Sequence, residues 1–321
     1  MIRRFQLLAL FAVVVLDAAR MAPGLVAEKF DTKTAAFAIA FKGEIAAYRE
    51  VSAFVLPGAT LTVETVGGAP GDYTLEVDEG VVTRRGPRGW EWSAPRARGI
   101  YNLRFDGPAH QGTITLHVFV MVPAGEQRDG VLNGYQIGRY PPPKGNPLYQ
   151  PPAGFVEVTK ENQNTKVSPH FRLNQFLCRQ ATSSPFPKYV VLKERLLLKL
   201  EAILERVNML GFRVDTLHVL SAYRTPYYNH AIGDVPYSMH QWGGAADVYI
   251  DEDNKGVMDD LNRDGQVDVQ DARYLSDVIE QRFSLDEFQK FEGGMGVYPA
   301  TAAHPPFVHV DVRGVKARWQ G

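Results

Sequence analysis

The sequence predicts an α+β protein built from two folded units, an all-β sandwich followed by a unit that mixes strands with helices. Three observations support this prediction. The chain has 321 residues, more than the roughly 100 to 200 residues of one domain. Short β-type segments separated by turn residues fill the first third of the chain. A helical pattern of apolar residues appears only after Pro187.

The first unit is expected at residues 28–124. Short runs rich in Val, Thr, Phe and Tyr alternate there with turn signals such as Pro57-Gly58, a spacing that indicates a β-sandwich. Trp90 and Trp92 lie two residues apart and therefore share one face of a strand. Aromatic residues at this spacing belong mostly to a core, and an exposed sugar-stacking pair is the alternative. We assign the sandwich no chemistry.

Prolines are dense between residues 125 and 169, where Pro141-Pro142-Pro143 is the longest run. Because proline resists helices and interior strands, this segment predicts a semi-rigid linker. The second unit is then expected at 170–321. It begins with a helix whose apolar face runs from Leu192 to Val207 and which stops at Gly211.

The first 27 residues predict an export signal or a retained N-terminal anchor. Two arginines precede an apolar run from Phe5 to Leu16, the usual layout of such a signal. The run is shorter than the about 20 apolar residues that span a bilayer. Most of the chain is therefore expected outside the cytoplasm, in the periplasm or cell envelope.

Charge and cysteine content exclude several classes of partner and site. The formal net charge is -1, so no nucleic-acid partner is expected, and membrane contact is expected only through the N-terminal anchor. The single cysteine, Cys178, excludes an intramolecular disulfide and a thiolate-rich metal cluster. It is expected to be a small buried side chain. A chain without disulfides fits a bacterial envelope better than a eukaryotic secreted protein.

A candidate metal site is spread over the second unit. His240 and Asp247 are joined by a glycine-rich turn, so an imidazole and a carboxylate can converge on one ion. His309 lies in a predicted strand, on the face shared by Asp311, and supplies the third ligand. Three protein ligands leave a fourth position for water, as in catalytic zinc sites. The same ligand set also suits other first-row ions, and a lone histidine is more often a surface or packed residue.

These residues stand within an ordered series of motifs. The series is Tyr223-Arg224-Thr225, Ser238-x-His240-x-x-Gly243-x-Ala245-x-Asp247, Gly293-Gly294-x-Gly296-x-Tyr298 and Phe307-Val308-His309-Val310-Asp311. It resembles the zinc D-alanyl-D-alanine carboxypeptidase and murein endopeptidase family (VanY-like peptidases), in the envelope branch whose last motif is His-x-Asp. The resemblance covers residues 168–313.

The resemblance implies a zinc peptidase domain of the hedgehog/D-Ala-D-Ala-peptidase type, with His240, Asp247 and His309 as zinc ligands. It also places Arg224 near the substrate carboxylate, since a guanidinium fork suits that group. A structural salt bridge is the alternative role for Arg224. Ser238 and Tyr223 are further expected substrate contacts, and Ser238 has the alternative role of holding the turn.

The general base is the point at which this sequence departs from the family. Other branches carry an ionisable residue two or three positions before the last zinc ligand, but Pro306 and Phe307 stand there. Asp311 is the nearest candidate base. It could equally orient His309 as a carboxylate behind the ligand. His304 is the second candidate base, with a plain loop histidine as its alternative.

A calcium loop is predicted inside the second unit, in an insertion at 251–280. Ligand positions one, three, five, seven, nine and twelve of an EF-hand-type loop are filled, with glycine at position six. They are Asp260, Asn262, Asp264, Gln266, Asp268 and Asp271. The loop resembles those of dockerin modules in carrying Asp at position twelve, and a solvated acidic turn is the alternative.

Together these features predict an exported zinc metallopeptidase that hydrolyses amide bonds in peptidoglycan stem peptides or cross-links, as a carboxypeptidase or an endopeptidase. Zinc and calcium are the expected cofactors, and the peptidoglycan peptide is the expected substrate. The N-terminal sandwich is expected to be immunoglobulin-like. The alternative is a zinc-containing cell-wall or carbohydrate binding protein without turnover.

Overall fold

The structure is a computed structural model, and it describes residues 30–108, 111–182 and 184–321. The expected export signal or anchor at 1–27 lies outside the described residues. Within them the chain is mostly β-sheet, with three α-helices. None of the described helices is both long and apolar enough to cross a membrane.

Two facing sheets form the first unit. One sheet has the strand order β2-β1-β4-β7-β6 and the other β3-β9-β8-β5, and β3 and β9 pair in parallel. The strands are β1 Thr34–Phe41, β2 Glu44–Tyr48, β3 Glu50–Val55, β4 Thr60–Val66, β5 Thr74–Val77, β6 Val81–Arg84, β7 Gly89–Ser93, β8 Gly99–Asp106 and β9 Thr113–Val120. This arrangement confirms the expected sandwich.

The two tryptophans of β7 lie in the core between the sheets. Trp92 is 0% exposed and Trp90 is 4% exposed. The Trp90 ring meets Phe105 of the opposite sheet edge-on, with 5.6 Å between centroids. The core prediction is therefore confirmed and the sugar-stacking alternative is wrong, because neither ring has a free face.

The second unit contains twelve described strands and all three helices. The strands are β10 Val122–Pro123, β11 Val131–Leu132, β12 Tyr135–Gln136, β13 Gly154–Val158, β14 Lys166–Ser168, β15 Phe171–Arg172, β16 Lys188–Val190, β17 His218–Ser221, β18 Ala245–Tyr249, β19 Gly294–Tyr298, β20 Phe307–Asp311 and β21 Ala317–Gln320. The helices are α1 Glu194–Met209, α2 Pro226–Ala231 and α3 Val269–Phe283. The helix expected after Pro187 is α1, and the strand predicted around His309 is β20.

The segment expected to be a linker, 125–169, is instead part of the second unit. Its strands β11 and β12 pair with each other, and β13 pairs with both β10 and β16. Leu132, Tyr135 and Phe155 are at most 3% exposed within the core of that unit. Apart from Pro169 at its end, the prolines of the segment lie between residues 141 and 152, so the apolar runs on either side remain free to form strands.

A five-stranded sheet, β17-β18-β20-β19-β21, carries the candidate site. Asp247 of β18 lies opposite His309 of β20. Gly296 of β19 lies opposite both His309 and Trp319 of β21. The row that contains the candidate ligands therefore crosses four neighbouring strands. Helix α3 packs on β19 and β20, and α1 packs on α3.

The sandwich packs directly against the second unit. Glu194, the first residue of α1, accepts a hydrogen bond from the Phe54 amide at 3.2 Å and forms an ion pair with Lys42. Ser52 donates to the Val167 carbonyl at 2.7 Å, and this contact is buried. These contacts fix the side of the second unit on which the sandwich lies.

Candidate metal centre

His240, Asp247 and His309 bring three donor atoms together. Nε2 of His240 lies 3.1 Å from Nδ1 of His309 and 3.2 Å from Oδ1 of Asp247, and the remaining distance, His309 Nδ1 to Asp247 Oδ1, is 2.9 Å. The three residues are between 1% and 6% exposed. Among the described residues, these three form a group of His and Asp side chains whose donor atoms lie close enough together to hold a metal ion.

Local structure places each of these side chains. His240 belongs to a 3₁₀ turn, Met239–Trp242, which ends at Gly243 with φ of +62°. A Cβ at Gly243 would lie 2.1 Å from the Val191 carbonyl oxygen, so only glycine fits there. Asp247 and His309 face each other across the β18–β20 ladder. The predicted glycine-rich reversal between the first two ligands is therefore confirmed.

The outer hydrogen bonds leave lone pairs directed at a common centre. Nδ1 of His240 lies 2.6 Å from the Ala222 carbonyl oxygen, which can only accept, so the proton is on Nδ1 and Nε2 is free. Nε2 of His309 similarly faces Oδ2 of Asp311 at 3.3 Å, which leaves Nδ1 free.

These two nitrogens and a carboxylate oxygen repel one another unless a proton or a metal cation lies between them. Ligands bound to zinc at about 2.0 to 2.1 Å in a tetrahedral site are separated by roughly 3.3 Å. The observed separations of 2.9 to 3.2 Å are close to this value. The donor set therefore fits zinc.

The pKa values of the three residues are shifted in different directions. Burial and the nearby Arg224 keep the pKa of His240 below its ordinary value. Burial opposes the charged form of His309, but hydrogen bonds with Asp247 and Asp311 outweigh it and raise the pKa of His309. Burial alone would raise the pKa of Asp247, yet His240, His309 and Arg224 hold it well below its usual range.

Asp311 lies behind His309 and is not open to the cleft. Its carboxylate is 0% exposed. It accepts from the Gly294 amide at 2.7 Å and from Nε of Arg313 at 2.8 Å. Although burial opposes ionisation, these donors and His309 lower the pKa of Asp311. A fully enclosed carboxylate cannot collect a proton from substrate, so the orienting role is the one that this geometry supports.

Arg224 is held by protein groups. Its guanidinium binds Asp247 on the side away from the other ligands and binds Oδ2 of Asp234 at 2.8 Å, while its Nε donates to Ser221 Oγ at 2.9 Å. The salt-bridge alternative is thus the arrangement observed. The Arg224 side chain also lines the cleft, so contact with substrate remains a prediction.

Of the other two expected substrate contacts, one is wrong. Tyr223 is 0% exposed, and its hydroxyl lies 3.1 Å from that of Tyr140 in the protein interior. Its side chain packs in the hydrophobic core and does not line the cleft. Ser238 lies before the His240 turn, lines the cleft and makes no capping hydrogen bond with its side chain. Its contact with substrate remains a prediction.

The site opens into a cleft of ≈ 1000 Å³. Aromatic side chains form much of its wall, among them Tyr237, Tyr298 and Trp319. His304 also lines this cleft, and its ring packs edge-on against Phe307 with 5.0 Å between centroids. A donor bond from Nδ1 to the Pro305 carbonyl at 2.9 Å leaves Nε2 of His304 as an acceptor.

Sequence reasoning missed residues that support the ligands from behind. Lys199 of α1 is 4% exposed and donates to the carbonyl oxygens of Asp311 at 2.8 Å and Phe291 at 3.0 Å. Burial lowers the pKa of Lys199 to about 8. The helical pattern of the sequence around Lys199 does not indicate that its side chain contacts Asp311. The contact of Arg313 with Asp311 is indicated by the sequence, because Arg313 follows Asp311 by two residues, the spacing of side chains on one face of a strand.

In the predicted calcium loop, Asp and Asn side chains accept hydrogen bonds from backbone amides of the same loop. Asp260 accepts from the amides of Asp264 and Gly265 at 3.1 and 2.8 Å. Asp271 is 0% exposed and accepts from the Leu261 amide at 2.7 Å. The inserted segment continues through α3 beyond the expected end at residue 280. The loop carboxylates thus accept hydrogen bonds from their own backbone, and calcium binding remains a prediction.

Cys178 is buried and free, as expected. It is 1% exposed, and its sulfur accepts a weak hydrogen bond from the Thr225 amide at 3.5 Å. Burial raises the pKa of the Cys178 thiol. The residue is a packing element beneath the Arg224 motif.

Comparison with known proteins adds little to this description. No family model and no curated protein matches the sequence. Among solved structures, the chain is similar to one in a crystal structure of the titin M10–obscurin-like 1 Ig complex, with 16% identity and a TM-score of 0.18. That match covers 27% of this chain and 97% of the other. At this TM-score the similarity carries no conclusion about function.

Proposed function

We propose that this protein is a zinc-dependent amide hydrolase that cleaves the peptide part of peptidoglycan, either at stem peptides or at cross-links. One observation carries the proposal: three metal-binding atoms converge at the wall of an open cleft, with their outer atoms fixed by hydrogen bonds. A structural zinc site would be closed by a fourth protein ligand. Among the described residues, the group that could hold the ion has three members and no fourth protein ligand.

In this proposal His240, Asp247 and His309 hold the zinc ion. When bound, zinc lowers the pKa of a water molecule toward about 7 and polarises a carbonyl group. Hydrolysis adds the water oxygen to the acyl carbon and breaks the C–N bond. The products are a carboxylate and a protonated amine, whose nitrogen has received both water protons.

The proton carrier in this proposal is His304. Asp311 is enclosed behind His309 and cannot exchange a proton with substrate. His304 lines the cleft, and its Nδ1 is engaged by Pro305, so Nε2 can accept a proton from water and return it to the leaving amine. If His304 carries the proton, no ionisable residue is needed at the positions that Pro306 and Phe307 occupy.

The substrate class rests on the ordered motifs, which resemble those of the murein peptidase family. In the same proposal, the second unit is of the hedgehog/D-Ala-D-Ala-peptidase type and the sandwich is immunoglobulin-like. The protein is exported to the periplasm or envelope, and calcium fills the loop at 260–271. The cleft provides the space that a short peptide requires.

Digestion of purified sacculi tests the function directly. Zinc-loaded protein should release new muropeptides whose masses identify the bond cleaved. His240→Ala should release none, whereas the matched control His230→Ala, at an exposed histidine of α2, should behave like the wild type.

Two results would count against hydrolysis. Intact muropeptides with the zinc-loaded wild type would favour the alternative of a zinc-containing cell-wall binding protein. Equal release by the wild type and by His240→Ala would show that the activity has another source.

A further inference from the structure

Tyr298, at the end of β19, presents an immobilised phenol to the cleft. Its ring stacks on Phe307 with 4.6 Å between centroids and 9° between planes. Its hydroxyl oxygen lies 2.8 Å from Nε1 of Trp319. Contacts on the ring face and at the hydroxyl therefore fix the phenol before any ligand arrives.

The direction of that hydrogen bond is known from the chemistry of indole. An indole N–H can only donate, so the oxygen of Tyr298 is the acceptor. The phenolic proton itself has no acceptor among the residues that the structure describes. Since Tyr298 lines the cleft, this proton is available to a ligand bound there.

The phenol belongs to a residue of β19 that lies two positions from the row of the sheet containing the candidate metal ligands. Gly296 is opposite His309 on one side and Trp319 on the other. A Cβ at Gly296 would lie 2.3 Å from Nε1 of Trp319, so the indole occupies the space above this glycine. The rings of Trp319 and His309 are 5.1 Å apart. Tyr298 follows Gly296 by two residues and so projects from the same face of β19.

We infer that Tyr298 is a catalytic residue that donates a hydrogen bond to the carbonyl oxygen of the scissile amide as this oxygen gains negative charge, and that Trp319 is the positioning residue that holds it. The inference rests on the proposed function and names a second group that acts on the same substrate atom. No proton is transferred in this role, so the phenol is unchanged at the end of the reaction.

A fixed donor of this kind accelerates reactions because it needs no reorganisation when charge develops. Loss of one such donor reduces kcat by about 10²- to 10³-fold in enzymes that depend on it. A contact made equally to substrate and transition state would instead change KM. These two behaviours separate the proposed role from ordinary substrate binding.

The test compares Tyr298→Phe with Tyr227→Phe in the zinc-loaded full chain. Tyr227 of α2 is 51% exposed and does not line the cleft. With a muropeptide substrate, Tyr298→Phe should lower kcat by roughly 100-fold with little change in KM. Tyr227→Phe should change neither constant. Trp319→Phe keeps an aromatic ring but removes the indole donor, and should give a smaller loss of kcat.

Calorimetry supplies a readout that does not depend on turnover. A phosphinate peptide has tetrahedral phosphorus and a charged oxygen, so it imitates the transition state, whereas the product peptide does not. Tyr298→Phe should weaken phosphinate binding by about the same factor as kcat and leave product binding and zinc content unchanged.

Three outcomes would overturn the inference. Phosphinate affinity and kcat could both stay at the wild-type level in Tyr298→Phe, or phosphinate and product affinities could fall by equal factors, as a ground-state contact would require. A wild type that binds no phosphinate would remove the inference and the proposed function together. A wild type that binds phosphinate but hydrolyses no muropeptide would contradict the proposed function alone, and the calorimetric comparison would still decide the role of Tyr298.

Discussion

The second unit contains two candidate metal sites that are built in opposite ways. The candidate zinc site takes its donor atoms from a turn and two strands, and the two histidines are oriented by hydrogen bonds to Ala222 and Asp311. The acidic loop at 260–271 takes its donors from twelve consecutive residues, and its carboxylates accept hydrogen bonds from their own backbone. A sheet can therefore hold metal ligands in place before a metal binds, whereas in this loop calcium would have to displace or share existing hydrogen bonds.

The largest effect is expected from loss of a ligand in the zinc site. His309→Gln removes one of three donors, so zinc should fall from one equivalent per chain to an undetectable amount at micromolar protein. Activity should fall at least about 10³-fold, because a catalytic metal contributes several kcal/mol to the barrier. Elemental analysis and sacculus digestion measure the two effects. The loop variant Asp260→Asn is the control and should keep its zinc, and the same loss of zinc in both variants would break the comparison.

The next effect concerns the carboxylate behind His309. Asp311→Asn keeps the shape of the side chain but removes the charge that fixes the tautomer of His309. Zinc affinity should fall by about 10- to 100-fold, as is usual for such groups. Glu280→Gln is the matched control, because Glu280 likewise accepts from an arginine, Arg318, at 2.8 Å but touches no ligand. Competition with a chromogenic chelator measures both affinities, and unchanged affinity in Asp311→Asn would argue against preorganisation.

The convergence of His240, Asp247 and His309 was predictable because the information is local. Gly243-Gly244 marks the reversal between the first two ligands, and alternation in β20 places His309 and Asp311 on one side. The sandwich and α1 followed from equally local patterns of turns and apolar residues. Order along the chain was therefore sufficient for these elements.

The supporting shell was not predictable, because it depends on which distant elements pack together. Lys199 reaches Asp311 from a helix 112 residues earlier, and Ala222 supplies the His240 acceptor from 18 residues earlier. The Pro-rich segment was misjudged for the same reason. Its short strands are stabilised by pairing with β10 and β16, which no local pattern reveals. Tyr223 was misjudged because motif position does not determine side-chain direction.

A smaller effect is expected one contact further from the metal. Asp234 reaches the site only through Arg224, which in turn binds Asp247. Asp234→Asn should therefore lower zinc affinity by less than about 10-fold, below the range for a group that touches a ligand directly. The same chelator competition measures it. A loss as large as that of Asp311→Asn would show that the Arg224 pair, and not the His309 pair, is the main support of the site.

The smallest effect is expected at the acidic loop. Loops of this type in extracellular modules bind calcium with dissociation constants of about 10⁻⁴ to 10⁻³ M. At about 1 mM calcium, the tighter value stabilises the folded state by about 1.4 kcal/mol, which raises Tm by roughly 2 °C in a chain of this size. Thermal unfolding of zinc-loaded protein with and without calcium measures the shift. Asp260→Asn should abolish it without loss of zinc, and the same concentration of magnesium should not reproduce it. If calcium leaves the wild-type Tm unchanged, the hydrogen bonds to Asp260 and Asp271 complete the loop without a cation. The candidate zinc site in the sheet would then be the one metal site proposed for the described part of this unit.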